Sequence, residues 1–444
     1  MAAHLSAVAS PEMAPDIRKV NAANVFLWGK RVGAVAWDEQ RNVASFEYTP
    51  AFLREGLELS PLVLPRRPGI FSFPALNRDT FRGLPGLLAD SLPDRFGNAL
   101  IDLWLARHGR ALNDFSPVER LCYIGSRGMG ALEFKPALVR GSGSSEPIEI
   151  AELTDIAQRV LDQRQSLLAN LGDREKAIAT IIRIGTSAGG ARPKALIAWN
   201  PDTHDVRTGQ VAPPPGFQPW ILKFDGVRDS LLGESEGYGR IELAYHRMAV
   251  ASGIEMTECR LYEEGERAHF MTRRFDRDPD NRKIHMHSLC GLAHYDFNAA
   301  GAYGYEQAFS VIQQLRLGYP ALAELFRRMV FNIVARNQDD HTRNIAFLMD
   351  EDGQWRLAPA FDVMWAYNAS GPWTNQHQMS VGGKRDGFRR ADLVKAGRDF
   401  GVRRPDEIID TVIGSVRRWP EIAAGLHIPD SRIGAVASTH RLGL

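Results

Sequence analysis

At 444 residues, with 44% hydrophobic and 24% charged residues, the chain has the make-up of an ordinary globular protein of roughly two or three domains. A formal net charge of +1 gives no general pull toward nucleic acid or membrane surfaces. Three widely separated cysteines, Cys122, Cys259 and Cys290, lack the spacing of a disulfide framework or a structural zinc site and suit a reducing compartment. The first residues carry no basic segment followed by a sustained apolar run, and no stretch reaches the ~18 apolar residues of a membrane helix, so the expected location is the cytoplasm with no membrane partner.

Residues 1–20 are small, polar and proline-containing, and read as a disordered tail. From Val25, the runs VFLWG, RVGAVAWD and VASFEYT alternate apolar and polar residues as three antiparallel strands. A proline-rich connection leads to LPGLLADSLPDRFGNAL, where helical spacing begins after Asp94, a plausible cap. The linker-like GSGSSEP closes a small α/β subdomain, 21–145. Residues 146–275 then read as a β-rich lobe. It holds an amphipathic helix in IEIAELTDIAQRVLDQ, the glycine turn IGTSAGGARPKA, the strand PWILKFDG and a helix stopping at Gly253. A hairpin turning at Glu264-Gly265 completes it. PDTHDVRTGQVAPPPGFQ reads as a loop, and 276–444 as a mainly helical lobe with two strands after Asn344. The expected class is α+β and bilobal.

The polar loop Asn337–Asn344, set between the apolar runs FNIV and IAFL, carries the most chemical information. Asp339 and Asn344 have the D-x-x-x-x-N spacing of kinase catalytic loops. That spacing lets a carboxylate receive the proton of an attacking hydroxyl while an amide oxygen one short loop away holds magnesium. Asp362 in APAFDV is the candidate second magnesium ligand, although Val363 follows it and the kinase D-F-G is not kept. A hydrolytic metal site of Asp339, Asp340 and His341 is a rival, as is a capped, solvated turn.

Lys223 lies among apolar strand neighbours, as a phosphate-holding strand lysine does, with Glu242 its candidate partner and Glu234 and Glu236 as rivals. Its bland alternative is an edge-strand lysine that discourages aggregation. The glycine turn lacks Walker A and GxGxxG spacing, so by itself it reads first as an ordinary turn and only second as a phosphate cradle. His285, His287 and His294 near Cys290 fit no usual zinc spacing and read as surface or supporting residues. Arg273 and Arg274 read either as phosphate contacts or as surface pairs.

Taken together and in order, TSAGGARPKA, WILKFDG, RRFDR, NQDDHTRN and APAFDV resemble the HipA family, serine/threonine-kinase toxins of bacterial toxin–antitoxin pairs. LPGLLADSLPDRFGNAL resembles that family's first subdomain. The resemblance implies a kinase-like fold using ATP and magnesium. Gly189, Gly190, Ala191, Arg192, Pro193 and Lys194 would form the nucleotide loop, and Lys223 would hold phosphate. Arg273, Arg274 and Phe275 would be the adenine hinge, and Asp339 the catalytic aspartate. His341, Thr342, Arg343 and Asn344 would line the phosphates, with Phe361 and Asp362 closing the site and Asn344 and Asp362 holding magnesium. Ser187 falls at the family's regulatory autophosphorylated serine, whose added charge beside ATP phosphates would eject the loop.

The implied partners are a small helix-turn-helix antitoxin and a protein substrate with a Ser/Thr acceptor, with translation factors or aminoacyl-tRNA synthetases as family-level expectations. DNA would be met only through the antitoxin. Arg273 stands where better-known members have an acid, and Arg192-Pro193 alters the loop's charge and stiffness. A small-molecule phosphotransferase and a non-catalytic co-repressor are the alternatives.

Overall fold

A computed structural model of the protein describes residues 19–111, 115–139, 145–162, 175–185, 192–227 and 237–444. Three antiparallel sheets organise it. The first has the order β4-β3-β2-β1-β5, from β1 (Ala22–Leu27), β2 (Lys30–Asp38), β3 (Val43–Tyr48), β4 (Ile70–Phe71) and β5 (Leu132–Lys135). Trp28 and Gly29, both at positive φ, make the tight β1–β2 turn. The three N-terminal runs are strands as expected. β5 was not, because its four residues follow a glycine-rich stretch and owe their conformation to pairing with β1 across more than a hundred residues.

The second sheet has the order β7-β6-β8-β10-β9: β6 (Lys194–Trp199), β7 (Val206–Thr208), β8 (Gln218–Lys223), β9 (Cys259–Glu264) and β10 (Arg267–Arg273). Strand β7 lies inside the segment read as a loop; three residues between prolines and glycines give no period to detect. On β8, Trp220 and Leu222 point into the core while Ile221 and Lys223 share the opposite face. That core includes Phe96 and Leu100 of helix Arg95–Arg107 and Ile181 of helix Glu175–Ile184. One hydrophobic cluster thus crosses the expected boundary at 145/146.

The third sheet, β11 (His285–Ser288), β12 (Ala346–Met349) and β13 (Trp355–Leu357), sits among the C-terminal helices. Only its last two strands were legible; β11 is a four-residue His-Met-His-Ser run without a strand's composition. The 17-residue helix Gly318–Val334 buries Leu325, Phe326, Met329, Val330 and Ile333 at helical spacing, and delivers the chain to the polar loop.

Candidate active site

Lys194 and Lys223 are directly paired in the β6–β8 register, so both side chains leave the same face of the second sheet. The Lys223 ammonium donates to Glu242 Oε1 at 2.5 Å and also to Asp362 Oδ1. Glu242 sits on helix Tyr238–Ala251, whose start is fixed by Asp225: one carboxylate oxygen accepts from the Gly237 amide, the other from Ala268 of β10. Glu234 and Glu236 lie outside the described residues, and Glu242 is the acid that pairs with Lys223. Burial alone would lower the Lys223 pKa, but Asp362 and Glu242 outweigh it and raise it. Burial likewise pushes Asp362 up, and Lys223 and Lys194 overcome that to hold it at about 2. Glu242 is raised by burial, with Lys223 opposing. Lys223 and Asp362 therefore both stay charged.

Asp362 adopts left-handed backbone geometry at φ 52°, unusual for a non-glycine residue and of the kind that clusters at functional sites. Its side chain reaches Lys223 from that conformation.

Below this ladder, helix Gly318–Val334 ends and Asn337 folds back on Asn332 through both backbone and side-chain bonds. The two adjacent aspartates then diverge. Asp340 turns inward and accepts from Tyr305 Oη (2.9 Å) and the Gln378 amide (2.8 Å), with His377 Nδ1 at 2.9 Å. Its side chain is 1% exposed; it stabilises the loop and takes no part in a metal site with Asp339 and His341.

Asp339 keeps 42% of its side-chain surface open, 3.9 Å from His341 Nε2. The protein around it raises its pKa; His341 and a hydrogen bond from the Trp373 indole (2.6 Å) oppose this, and Asp362 and Asp340 add to it. Asn344 donates its amide nitrogen to the Asp339 carbonyl at 2.9 Å, which leaves its amide oxygen for another partner. His341, Asn344, Phe361 and Asp362 line one small cavity of about 30 Å³ with Asn332 and Tyr305. An ionised carboxylate and an amide oxygen on one cavity are hard oxygen donors of the sort magnesium takes alongside phosphate.

Other expected site residues have different surroundings. The Thr342 hydroxyl is buried and donates to the Tyr295 carbonyl (2.7 Å). Arg274 forms no surface pair: it is 4% exposed and grips Asp276 through two bonds of 2.9 and 2.7 Å. At both positions a nucleotide contact would have to come from the backbone. Arg343 donates to the Leu92 carbonyl and stacks its guanidinium near Phe297. The Arg273 amide donates to Glu258, and the Phe275 and Phe361 rings lie 5.5 Å apart against Ala346 and Leu348. Arg192 lies over the Tyr238 ring, and the Pro193 carbonyl accepts from Phe224. Ser187, Gly189, Gly190 and Ala191 lie outside the described residues.

The N-terminal segment Asp90–Asp94 touches the same machinery at three points, a role for which the sequence offered no signal. Asp90 accepts from the Ser288 amide and hydroxyl (2.7 and 2.6 Å) and meets His287 Nδ1 at 2.5 Å. The Leu92 carbonyl holds Arg343. Asp94 caps helix Arg95–Arg107 through Oδ1, and its Oδ2 lies 4.0 Å from Lys194 Nζ. His285 and His287 are buried and His294 half-buried, and all three are bonded to N-terminal residues: Leu59, Asp90 with Ser60, and Gly86. Ser60, His287 and Asp90 resemble a hydrolytic triad, but Ser60 and His287 have no exposed surface, so the arrangement is structural.

The sequence comparisons fit this architecture. The HipA N-terminal domain matches residues 23–135 and the HipA-like C-terminal domain residues 186–419. A Sinorhizobium fredii protein provisionally named a kinase is 25% identical over 444 residues, spanning 95% of this chain and 97% of its own. A Haemophilus influenzae protein, also provisionally named a kinase, is 30% identical over 179 residues, covering 34% of this chain and 51% of its own. In three dimensions the chain is similar to one from the Shewanella oneidensis toxin–antitoxin complex of HipA, HipB and operator DNA. The TM-score is 0.64 at 18% identity, over 94% of each chain. The class is thus an α+β protein of kinase-like fold. The chain belongs to the HipA family. Among the described residues no helix is long and apolar enough to cross a membrane.

Proposed function

We propose that this chain is an ATP- and magnesium-dependent serine/threonine protein kinase acting as the toxin of a toxin–antitoxin pair. The observation that carries the reading is Lys223 held between Glu242 and Asp362, where Asp362 lines one cavity with Asn344 and His341, and His341 lies 3.9 Å from Asp339. Lys223, with Lys194 beside it, would fix the phosphates. Asn344 and Asp362 would hold magnesium, which when bound neutralises phosphate charge. Asp339 orients the acceptor hydroxyl and takes its proton; its raised pKa suits a base. The Phe275–Phe361 pair would flank the base.

By its likeness to the Shewanella complex, a HipB-like helix-turn-helix protein is the proposed partner, with DNA reached only through it and the cytoplasm as location. Ser187 is the proposed autophosphorylation site. The test is γ-phosphate labelling of a bacterial lysate with wild type and Asp339→Asn in parallel. A protein labelled only by wild type supports the reading, whereas equal labelling or equal growth arrest with both removes it. Labelling of small alcohols alone would make the chain a small-molecule phosphotransferase. Mass spectrometry of wild type should place phosphate on Ser187, and phosphate found only elsewhere refutes that assignment.

A further inference from the structure

Among the described residues, one hydrogen bond reaches the Asp339 carboxylate from outside the catalytic loop. Trp373 lies eleven residues beyond Asp362 in a turn-rich segment, and its indole N–H donates to Asp339 Oδ1 at 2.6 Å. The segment that presents it is firmly tied down. The Gln378 side-chain amide donates to the Trp373 carbonyl at 2.5 Å and to the Gln338 carbonyl at 3.3 Å. The Gln378 backbone N–H donates to Asp340 Oδ1, and the neighbouring His377 meets Asp340 Oδ2. The buried acid beside Asp339 therefore clamps the segment that offers Trp373 to Asp339.

Such an indole either plugs the carboxylate or orients it, and the exposure of Asp339 separates the two. With 42% of that side chain open and, among the described residues, only Oδ1 engaged, Oδ2 stays within reach of an acceptor while Trp373 remains in place. We propose that Trp373 is a positioning residue for Asp339, its N–H fixing the carboxylate's rotation so that Oδ2 faces the acceptor hydroxyl. This rests on the kinase reading of the site. As the hydroxyl oxygen bonds to the γ-phosphorus, its proton passes to Oδ2. The bond from that phosphorus to the bridging oxygen breaks, and the nucleoside diphosphate leaves with the electron pair. The terminal torsion of an aspartate is broad, so a carboxylate without a second contact swings away from this geometry, and small misplacements are costly to transfer.

The full-length chain tests this with Trp373→Phe, which keeps an aromatic ring and removes the donor. The kcat for phosphoryl transfer should fall about tenfold, while KM for nucleotide stays within about twofold, since that contact binds no nucleotide. An unchanged kcat overturns the proposal, and an increased kcat overturns it in favour of a plug. A second readout needs no turnover. The chain has nine tryptophans, and in nitrogen–proton spectra the indole signal lost in Trp373→Phe should shift strongly in Asp339→Ala. A signal that ignores Asp339 refutes the contact itself. A wild type that phosphorylates nothing, with the indole still responding to Asp339, would instead sink the kinase reading and the positioning role with it.

Discussion

Asp339 and Asp340 are neighbours in sequence and opposites in use. Asp340 is enclosed and meets Tyr305, His377 and Gln378; Asp339 has, among the described residues, one side-chain donor and an open face. Saturating an acid with donors makes it a structural anchor, while leaving one oxygen open keeps it available for chemistry.

The sharpest way to break the comparison is to neutralise each aspartate in turn. Asp339→Asn should lower phosphoryl transfer by ~10²–10⁴-fold, the usual worth of a positioned base, with the melting temperature essentially unmoved. Asp340→Ala should do the reverse in order of cause. Removing one member of a buried, bonded constellation costs ~3–5 kcal/mol, so thermal unfolding should shift first and activity fall with it. Equal melting for the two variants would erase the distinction.

A smaller effect of opposite sign is expected at Asp94. Burial lifts its pKa from 3.8 to about 6, with Lys194 and the Gly97 amide only partly compensating. The folded state then holds this proton more tightly than the unfolded chain. The charged form therefore destabilises the fold fully at pH 7, and the penalty is relieved as pH falls from 6 toward 4. Asp94→Asn keeps a good helix cap and removes the charge, so it should stabilise the protein at pH 7 by at most ~3 kcal/mol. That gain should vanish by pH 4, as denaturant melts at the two pH values would show. The buried histidines run the other way. His285 is depressed to about 3 and His294 to about 4, chiefly by burial, so both fold neutral. Their contribution is complete above 6.5 and is lost as pH falls toward 4, and His285→Gln should flatten that acid limb slightly.

Much of this was legible where local pattern and chemistry coincide. The N-terminal strands, the cap at Asp94, the Glu264-Gly265 hairpin and the Lys223–Glu242 pair all rest on spacing within a short window. What escaped depends on distant partners. Strands β5 and β11 are defined by what they pair with, and Thr342 and Arg274 by the buried Tyr295 carbonyl and Asp276 they meet. Trp373 was invisible because an indole N–H aimed at a carboxylate leaves no spacing to read. The short Asp-Ser-Leu-Pro-Asp stretch likewise says nothing about reaching the Asn337–Asn344 loop.

That stretch changes what counts as a separable piece of the molecule. Residues 186–419 match a domain by themselves, yet Phe96 and Leu100 fill the core under Trp220 and Leu222, and Asp90 secures the Ser288 corner. A fragment starting at 146 would carry an uncovered apolar floor and a corner without its tether, and should emerge as aggregate. Supplied with residues 19–145 as a second chain, it should regain solubility. The two halves would then behave as complementary fragments of one folding unit rather than as a catalytic core and its accessory.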